Sequence, residues 1–262
     1  MHKSGPIGIF DSGIGGLSIA RRIRELLPNE DLLYVADSEH APYGEKTPSY
    51  IIDRASAIVE FLIGENAKAI VVACNTATVS SIKQLRDQYK IPIIGVEPGV
   101  KPAVLNSSSG VIGVLATTQT LNSGTFNSLA DSFSSSVRVE VQPCPGLVEQ
   151  IEAMKFGCQT TESLLEKYVN PLLEKDADHI VLGCTHYAFI SPVIKKLVGP
   201  DIEIINTDLA VAKETLRRLQ VTDLLAENIY PGNDMFWTSG DVLGVEQQIE
   251  YIWGCPVKVG RL

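Results

Sequence analysis

No apolar run in the sequence is long enough to cross a membrane, and positive charge is scarce. A spanning helix needs roughly 20 consecutive apolar residues, and no stretch of the 262 residues approaches that length. The apolar stretch Ile7–Phe10 is also too short for the core of a signal peptide, so we expect a cytoplasmic protein. The net charge of -9 argues against nucleic-acid binding, which normally uses a basic face. We therefore expect neither membrane nor nucleic-acid partners.

Cysteine is sparse and irregularly placed. The chain has five, an odd number separated by wide gaps: Cys74, Cys144, Cys158, Cys184 and Cys255. This pattern fits neither a disulfide framework nor paired zinc ligands, and it contains no Cys-x-x-Cys redox motif. We therefore expect reduced thiols and no bound metal.

Short runs rich in β-branched residues alternate with longer segments of helical periodicity. The first part of the chain predicts strands at Ile7–Phe10, Leu32–Ala36, Ala69–Ala73 and Ile91–Val96, and helices at Gly16–Leu27, Tyr50–Gly64 and Val79–Tyr89. Such alternation predicts a parallel sheet with helices on both faces. In sheets of that kind, ligands bind at the carboxyl ends of the strands.

The second half repeats the strands of the first roughly 110 residues later. Three pairs of segments match: Ile7–Phe10 with Ile112–Leu115, Ala69–Thr76 with His179–His186, and Ile91–Ile94 with Ile202–Ile205. The predicted fold class is therefore α/β, with two similar domains related by a pseudo-twofold axis. Each domain is expected to be a mainly parallel sheet flanked by helices, with the active site in the cleft between the two.

The first predicted domain is discontinuous and comprises residues 1–96 and 208–262, whereas the second comprises residues 97–207. The tail contributes a helix at Leu209–Leu219, a strand at Met235–Thr238 and a final helix. We expect this tail to pack onto the first domain.

Cysteines end two of the matched strands, and polar residues follow each of them: Cys74-Asn75-Thr76 and Cys184-Thr185-His186. A thiol has a pKa of about 8.5 in model peptides, so nearby donors can poise it as thiol or thiolate. One such cysteine would be read as a small buried hydrophobic residue. Two that flank one carbon can remove a proton from one face and return a proton to the other. The pair predicts an isomerase that inverts a carbon centre.

The loop after the first strand is rich in glycine but does not match a dinucleotide-binding motif. Its glycines, Gly13, Gly15 and Gly16, match neither Gly-x-Gly-x-x-Gly nor a Gly-Lys-Ser/Thr phosphate loop. Asp11 and Ser12 offer groups that suit an amino-acid zwitterion, although Asp11 is equally readable as a helix cap. Two further loops are expected to supply donors: Tyr43 with Gly44, and Thr117 with Thr120.

Six motifs in order along nearly the whole chain resemble the glutamate racemases of the aspartate/glutamate racemase superfamily. They are Asp11-Ser12-Gly13 with Gly15-Gly16, Pro42-Tyr43-Gly44, Ala73-Cys74-Asn75-Thr76-Ala77, Gly95-Val96-Glu97-Pro98, Ala116-Thr117 with Thr120, and Gly183-Cys184-Thr185-His186-Tyr187. The resemblance implies interconversion of L- and D-glutamate without pyridoxal phosphate, metal or any other cofactor. It further implies a supply of D-glutamate for peptidoglycan, and we expect a homodimer.

The resemblance also implies residue roles. Cys74 would act on the D enantiomer, assisted by Asp11, and Cys184 on the L enantiomer, assisted by His186. The second assisting carboxylate falls on Glu152, with Glu149 as a nearby competitor because the local sequence departs from the usual Pro-Leu-Val-Glu pattern. The implied substrate contacts are Asp11, Ser12, Tyr43, Gly44, Asn75, Thr76, Thr117, Thr120, Thr185 and His186.

Two other functions remain open from the sequence. A racemase of aspartate or another acidic amino acid would use the same pair of thiols, and a panel of substrates separates these activities. A small-molecule binding protein on the same scaffold is the non-enzymatic alternative, since a fold does not determine a function. Binding alone needs no acid-base pair, so the two cysteines favour an enzyme.

Overall fold

The computed structural model describes residues 2–133 and 137–262, and the chain divides into two compact units. Unit 1 comprises Met1–Val96 and Asp208–Leu262, and unit 2 comprises Glu97–Thr207. Within the described ranges, no helix combines the length and the apolar character that crossing a membrane requires.

The helices and strands alternate along the chain. Unit 1 begins with β1 (Ile7–Asp11), α1 (Leu17–Leu26), β2 (Leu32–Ala36), α2 (Pro48–Gly64), β3 (Ala69–Val72), α3 (Asn75–Gln88) and β4 (Ile93–Gly95). Unit 2 contains α4 (Val100–Asn106), β5 (Val111–Ala116), α5 (Thr118–Leu121), α6 (Gly124–Asp131), β6 (Arg138–Pro143), α7 (Leu147–Glu152), α8 (Gln159–Leu173), β7 (His179–Gly183), α9 (Ser191–Val198) and β8 (Glu203–Ile205). The tail returns to unit 1 with α10 (Asp208–Val221), β9 (Asp234–Thr238), α11 (Val242–Trp253) and β10 (Val259–Arg261). Short 3-10 helices lie at Ser38–His40, Tyr43–Glu45 and Thr185–Ile190.

Each unit contains one parallel sheet, as the sequence predicts. The strand order is β10-β9-β2-β1-β3-β4 in unit 1 and β6-β5-β7-β8 in unit 2. The four strands β2-β1-β3-β4 thus have the same order as β6-β5-β7-β8. The internal repeat is therefore real, and β3 and β7 are equivalent strands. Their carboxyl ends carry the two cysteines of interest.

The predicted start of α3 is wrong, and the error bears on the site. The sequence predicts a helix from Val79, whereas α3 begins at Asn75, directly after Cys74. The polar residues Asn75 and Thr76 resemble a loop, but the first turn of a helix tolerates them because its N–H groups have no partner within the helix. Cys74 is consequently the N-cap residue of α3. Strand β2 has its predicted bounds, and the ends of the other predicted elements differ from the observed ones by one or two residues.

The tail extends the sheet of unit 1. Strand β9 pairs with β2 from Leu32 opposite Asp234 to Ala36 opposite Thr238, and β10 pairs with β9. The sequence pattern predicts β9 and the final helix α11 but not the three-residue strand β10.

Near the start of β9, a buried ion pair joins Glu30 to Lys68.

Candidate active site

Cys74 lies at the junction of β3 and α3 in unit 1. The side chain is buried, and its Sγ accepts a hydrogen bond from the Ala77 N–H at 3.5 Å. The same sulfur lies 3.9 Å from Ser12 Oγ. When deprotonated, the sulfur has the N–H groups of a helix N-terminus and a hydroxyl directed at it, which is a favourable place for negative charge.

Asn75 presents a donor that the described residues leave unpaired. Its side chain is 2% exposed, and its amide nitrogen is buried without a hydrogen-bond partner in the part of the chain that the structure describes. A buried donor left in this state costs about 1–3 kcal/mol, so it is expected to pair when a ligand arrives. An amide N–H next to Cys74 suits a carboxylate ligand.

Asp11 holds the loop that carries Ser12. Its buried carboxylate accepts hydrogen bonds from the Ser12 N–H at 2.7 Å and the Gly16 N–H at 2.6 Å. Gly16 is required there, because a Cβ at this position would lie 2.8 Å from the Cβ atoms of both Asp11 and Ala73. The carboxylate therefore supports the start of α1. Its role as an assistant to Cys74 stays a prediction.

Tyr43 is buried in the same apolar cluster as Cys74, and its hydroxyl donates to Asp37 at 2.5 Å. Burial, followed by the nearby Asp37 carboxylate, raises the pKa of Tyr43. The phenol therefore stays protonated and directs its hydrogen to Asp37. Whether Tyr43 and the half-buried Gly44 beside it contact substrate stays a prediction.

Cys184 in unit 2 occupies the place that Cys74 has in unit 1. It follows β7 directly, is buried, and lies with its Sγ 3.8 Å from His186 Nδ1. The other ring nitrogen, Nε2, lies 2.5 Å from Glu152 Oε1. An ionised carboxylate only accepts hydrogen bonds, so Nε2 donates to Glu152 and Nδ1 is left to face the thiol. Cys184, His186 and Glu152 thus form a continuous row of polar contacts.

Glu152, rather than Glu149, contacts the histidine. Both lie on the short helix α7, but Glu149 is exposed whereas Glu152 is half-buried. Gly146 immediately precedes this helix and has a φ of 82°, a left-handed conformation that favours glycine. The turn from the end of β6 into α7 therefore places Glu152 within reach of His186.

Thr117 and Thr120 follow β5. The Thr117 hydroxyl donates to Thr120 Oγ1 at 2.9 Å and accepts from the Thr120 N–H at 3.2 Å. The Thr117 side chain therefore caps α5, and both threonines are buried. Thr185 is likewise buried next to Cys184. Whether these hydroxyls bind substrate stays a prediction.

The other three cysteines do not follow the equivalent strands β3 and β7. Cys144 is buried in the same apolar cluster as Cys184, and burial raises the pKa of its thiol. Cys158 is half-buried and Cys255 is exposed. Sequence reasoning also missed Asp37 and Arg54. The Asp37 carboxylate accepts hydrogen bonds from the Tyr43 hydroxyl and from the Arg54 guanidinium. The sequence did contain a signal, because Arg54 falls on the apolar stripe of α2 between Ile51 and Ile58.

We expect Glu152→Gln to lower kcat about 10- to 100-fold with little change in KM. The amide cannot stabilise the charged imidazole that forms when His186 takes a proton. Glu149→Gln is the matched control, since the same change at an exposed position of the same helix should leave both constants near their original values. Steady-state kinetics of the two variants provide the test, and equal effects would contradict a role of Glu152 in proton transfer.

The chain matches known proteins over nearly its whole length. The Asp/Glu/Hydantoin racemase family model matches residues 7–215. A glutamate racemase from Ectopseudomonas mendocina is 50% identical over 259 residues, which cover 98% of each chain.

Solved structures match equally completely. The crystal structure of a glutamate racemase isoform from Bacillus anthracis has a TM-score of 0.91 and 33% identity, covering 100% of this chain and 98% of that chain. A glutamate racemase from Francisella tularensis, solved in complex with D-glutamate, has a TM-score of 0.87 and 29% identity, covering 99% and 98%.

Proposed function

This chain belongs to the Asp/Glu/Hydantoin racemase family, and we propose that it interconverts L- and D-glutamate with two cysteines as its acid and base. The observation that carries the proposal is the repeated cysteine. Cys74 and Cys184 follow the equivalent strands β3 and β7, and each thiol has polar groups directed at it. Relatives of high identity are glutamate racemases, which supports glutamate as the substrate.

The two thiols divide the reaction by enantiomer in this proposal. Cys74 removes the α-proton of D-glutamate, and Cys184 removes that of L-glutamate. In each direction the other cysteine, as a thiol, delivers a proton to the opposite face of the α-carbon. His186 and Glu152 supply a path by which Cys184 loses and regains its proton.

A thiolate alone does not account for the reaction, because an amino acid's α-proton is far less acidic than a thiol. The site must stabilise a carbanion-like state, and donors that are aimed before the reaction starts do this best when water is excluded. Asn75 supplies one such donor for the substrate carboxylate. Ser12, Thr76 and Thr185, all buried beside a catalytic cysteine, supply others.

We expect activity to survive metal chelators and carbonyl reagents, since the two thiols perform the proton transfers themselves. Among residues 2–133 and 137–262, no group of three or more His, Cys, Asp and Glu residues is arranged to hold a metal ion. Purified protein assayed with and without EDTA and hydroxylamine tests the expectation. Activity that is lost with the chelator and restored by a metal would contradict it.

A panel of enantiopure amino acids tests the substrate. The circular dichroism signals of L-glutamate and D-glutamate should decay to zero, whereas those of aspartate and glutamine should stay unchanged. Racemisation of aspartate at a higher kcat/KM than glutamate would transfer the proposal to that substrate. Unchanged signals for every amino acid would favour the binding-protein alternative.

The proposal has consequences in the cell. D-Glutamate formed by this reaction would supply peptidoglycan synthesis, and the reduced thiols that it needs persist in the cytoplasm. The expected homodimer stays a prediction, which light scattering of the purified protein tests directly.

A further inference from the structure

A fully buried carboxylate lies one residue beyond β2, and three donors from two side chains neutralise it. Arg54 on α2 donates to Asp37 through Nη2 at 2.7 Å and through Nε at 3.0 Å. Tyr43 donates its hydroxyl hydrogen to the same carboxylate at 2.5 Å. The Asp37 side chain is 0% exposed, whereas that of Arg54 is 24% exposed.

Burying these charged groups is unfavourable for the stability of the fold. Burying a charged carboxylate and part of a guanidinium costs several kcal/mol, and an apolar set of similar volume is often equally stable. Arg54 also replaces an apolar residue on the buried stripe of α2. Stability alone therefore does not explain why three polar side chains occupy this part of the core.

The three side chains connect α2 to the surroundings of Cys74. Tyr43 belongs to the apolar cluster that contains Cys74, and its phenol lies within electrostatic reach of that thiol. The two hydrogen bonds from Arg54 hold the Asp37 carboxylate in one orientation. The carboxylate in turn holds the Tyr43 hydroxyl in place. The Arg54 charge also offsets the negative charge of Asp37, which would otherwise oppose a thiolate at Cys74. His40 is a further titratable group near this carboxylate, with Nε2 at 4.0 Å from Asp37 Oδ1.

We propose that Arg54 and Asp37 are positioning residues for proton removal by Cys74, and that they act by holding Tyr43 in place and by cancelling each other's charge. The inference rests on the proposed function and deepens it. It assigns the pair to the reaction of the D enantiomer and leaves the step at Cys184 unaffected.

Elimination from 3-chloroglutamate separates the two steps. The thiolate takes the α-proton, the C–H electron pair forms the Cα=Cβ bond, and chloride leaves with the C–Cl pair. The enamine then hydrolyses to 2-oxoglutarate and ammonium, which are measured. In a Cys184→Ser background only Cys74 drives elimination, from the D form, and in a Cys74→Ser background only Cys184 drives it, from the L form.

Arg54→Gln should lower kcat for elimination from the D form roughly 10- to 100-fold in the Cys184→Ser background, because a small displacement of a reacting group has effects of that size. KM should change less, and Arg54→Lys should recover part of kcat. In the Cys74→Ser background, Arg54→Gln should leave elimination from the L form within about twofold. Arg22→Gln, at an exposed arginine of the same unit, is the control for the substitution itself.

The outcomes distinguish the inference from the proposed function. Equal loss in both backgrounds, or loss in neither, with thermal unfolding unchanged, would overturn the positioning role. Absence of D-specific elimination in Cys184→Ser with Arg54 intact would instead overturn the two-cysteine mechanism. If Arg54→Gln does not fold, Tyr43→Phe carries the same expectation, since it removes the hydrogen bond to Asp37 with little loss of volume.

Discussion

Replacing either Cys74 or Cys184 by serine is expected to lower kcat for glutamate racemisation roughly 10²- to 10⁴-fold in both directions, the usual contribution of an acid-base group. A serine hydroxyl is far less acidic than a thiol, so it neither ionises near neutral pH nor delivers a proton as readily. Inversion needs both groups in every turnover, so loss of either one stops both directions. Chiral chromatography of L- and D-glutamate incubated with each variant measures the effect.

The single variants should differ in what they retain. Cys74→Ser should still eliminate chloride from L-3-chloroglutamate through Cys184, and Cys184→Ser should do so from the D form through Cys74. Serine at Cys144, Cys158 or Cys255 is the control, and racemisation should stay largely intact there. A key variant that folds and racemises near the original rate would transfer the chemistry to another residue.

Lys68→Met is expected to destabilise unit 1 by about 3–5 kcal/mol, because it leaves Glu30 charged and unpaired in the core. Both side chains are almost fully buried, at 0% and 3% exposure. The pair also joins distant segments, since Lys68 donates to the Lys3 carbonyl at 2.5 Å and Glu30 accepts from the Ala226 N–H at 2.8 Å. Losing it should therefore weaken the attachment of the tail.

Urea unfolding followed by tryptophan fluorescence measures this loss. The chain has two tryptophans, Trp237 and Trp253, and both lie in unit 1. Lys3→Met, which removes a half-exposed lysine paired with exposed Asp223 and Glu227, is the matched control and should change the midpoint little. A midpoint for Lys68→Met no lower than that of Lys3→Met would show that the buried pair is dispensable.

The strands were largely predictable from the sequence, because each is a short run of apolar, often β-branched residues that ends at polar loops. Strand β2 has the predicted bounds, and β7 lies within the segment that the repeat predicts. The repeat was readable for the same reason, since β3 and β7 match in both pattern and final cysteine. The start of α3 was misread because helix propensity disfavours Asn75 and Thr76, whereas the free N–H groups of a first helical turn accommodate them.

Contacts between distant residues were not predictable from pattern. Glu152 and His186 are 34 positions apart, and nothing in their spacing requires them to meet. The resemblance supplied Glu152, while the structure shows that it contacts His186 and that Glu149 is exposed. The Arg54–Asp37 pair depends on the packing of α2 against the sheet, which a single sequence does not reveal. A charged residue on an apolar stripe was the available indication.

Racemisation of L-glutamate in deuterium oxide tests the two-cysteine account most directly. The thiols exchange their protons with solvent, so the thiol that delivers a proton to the product carries deuterium. At low conversion, mass spectrometry of the separated enantiomers should show deuterium at the α-carbon of nearly all D-glutamate, while the remaining L-glutamate is still unlabelled. D-Glutamate that retains the original α-proton would contradict the account, because one base would then have moved the same proton from one face to the other.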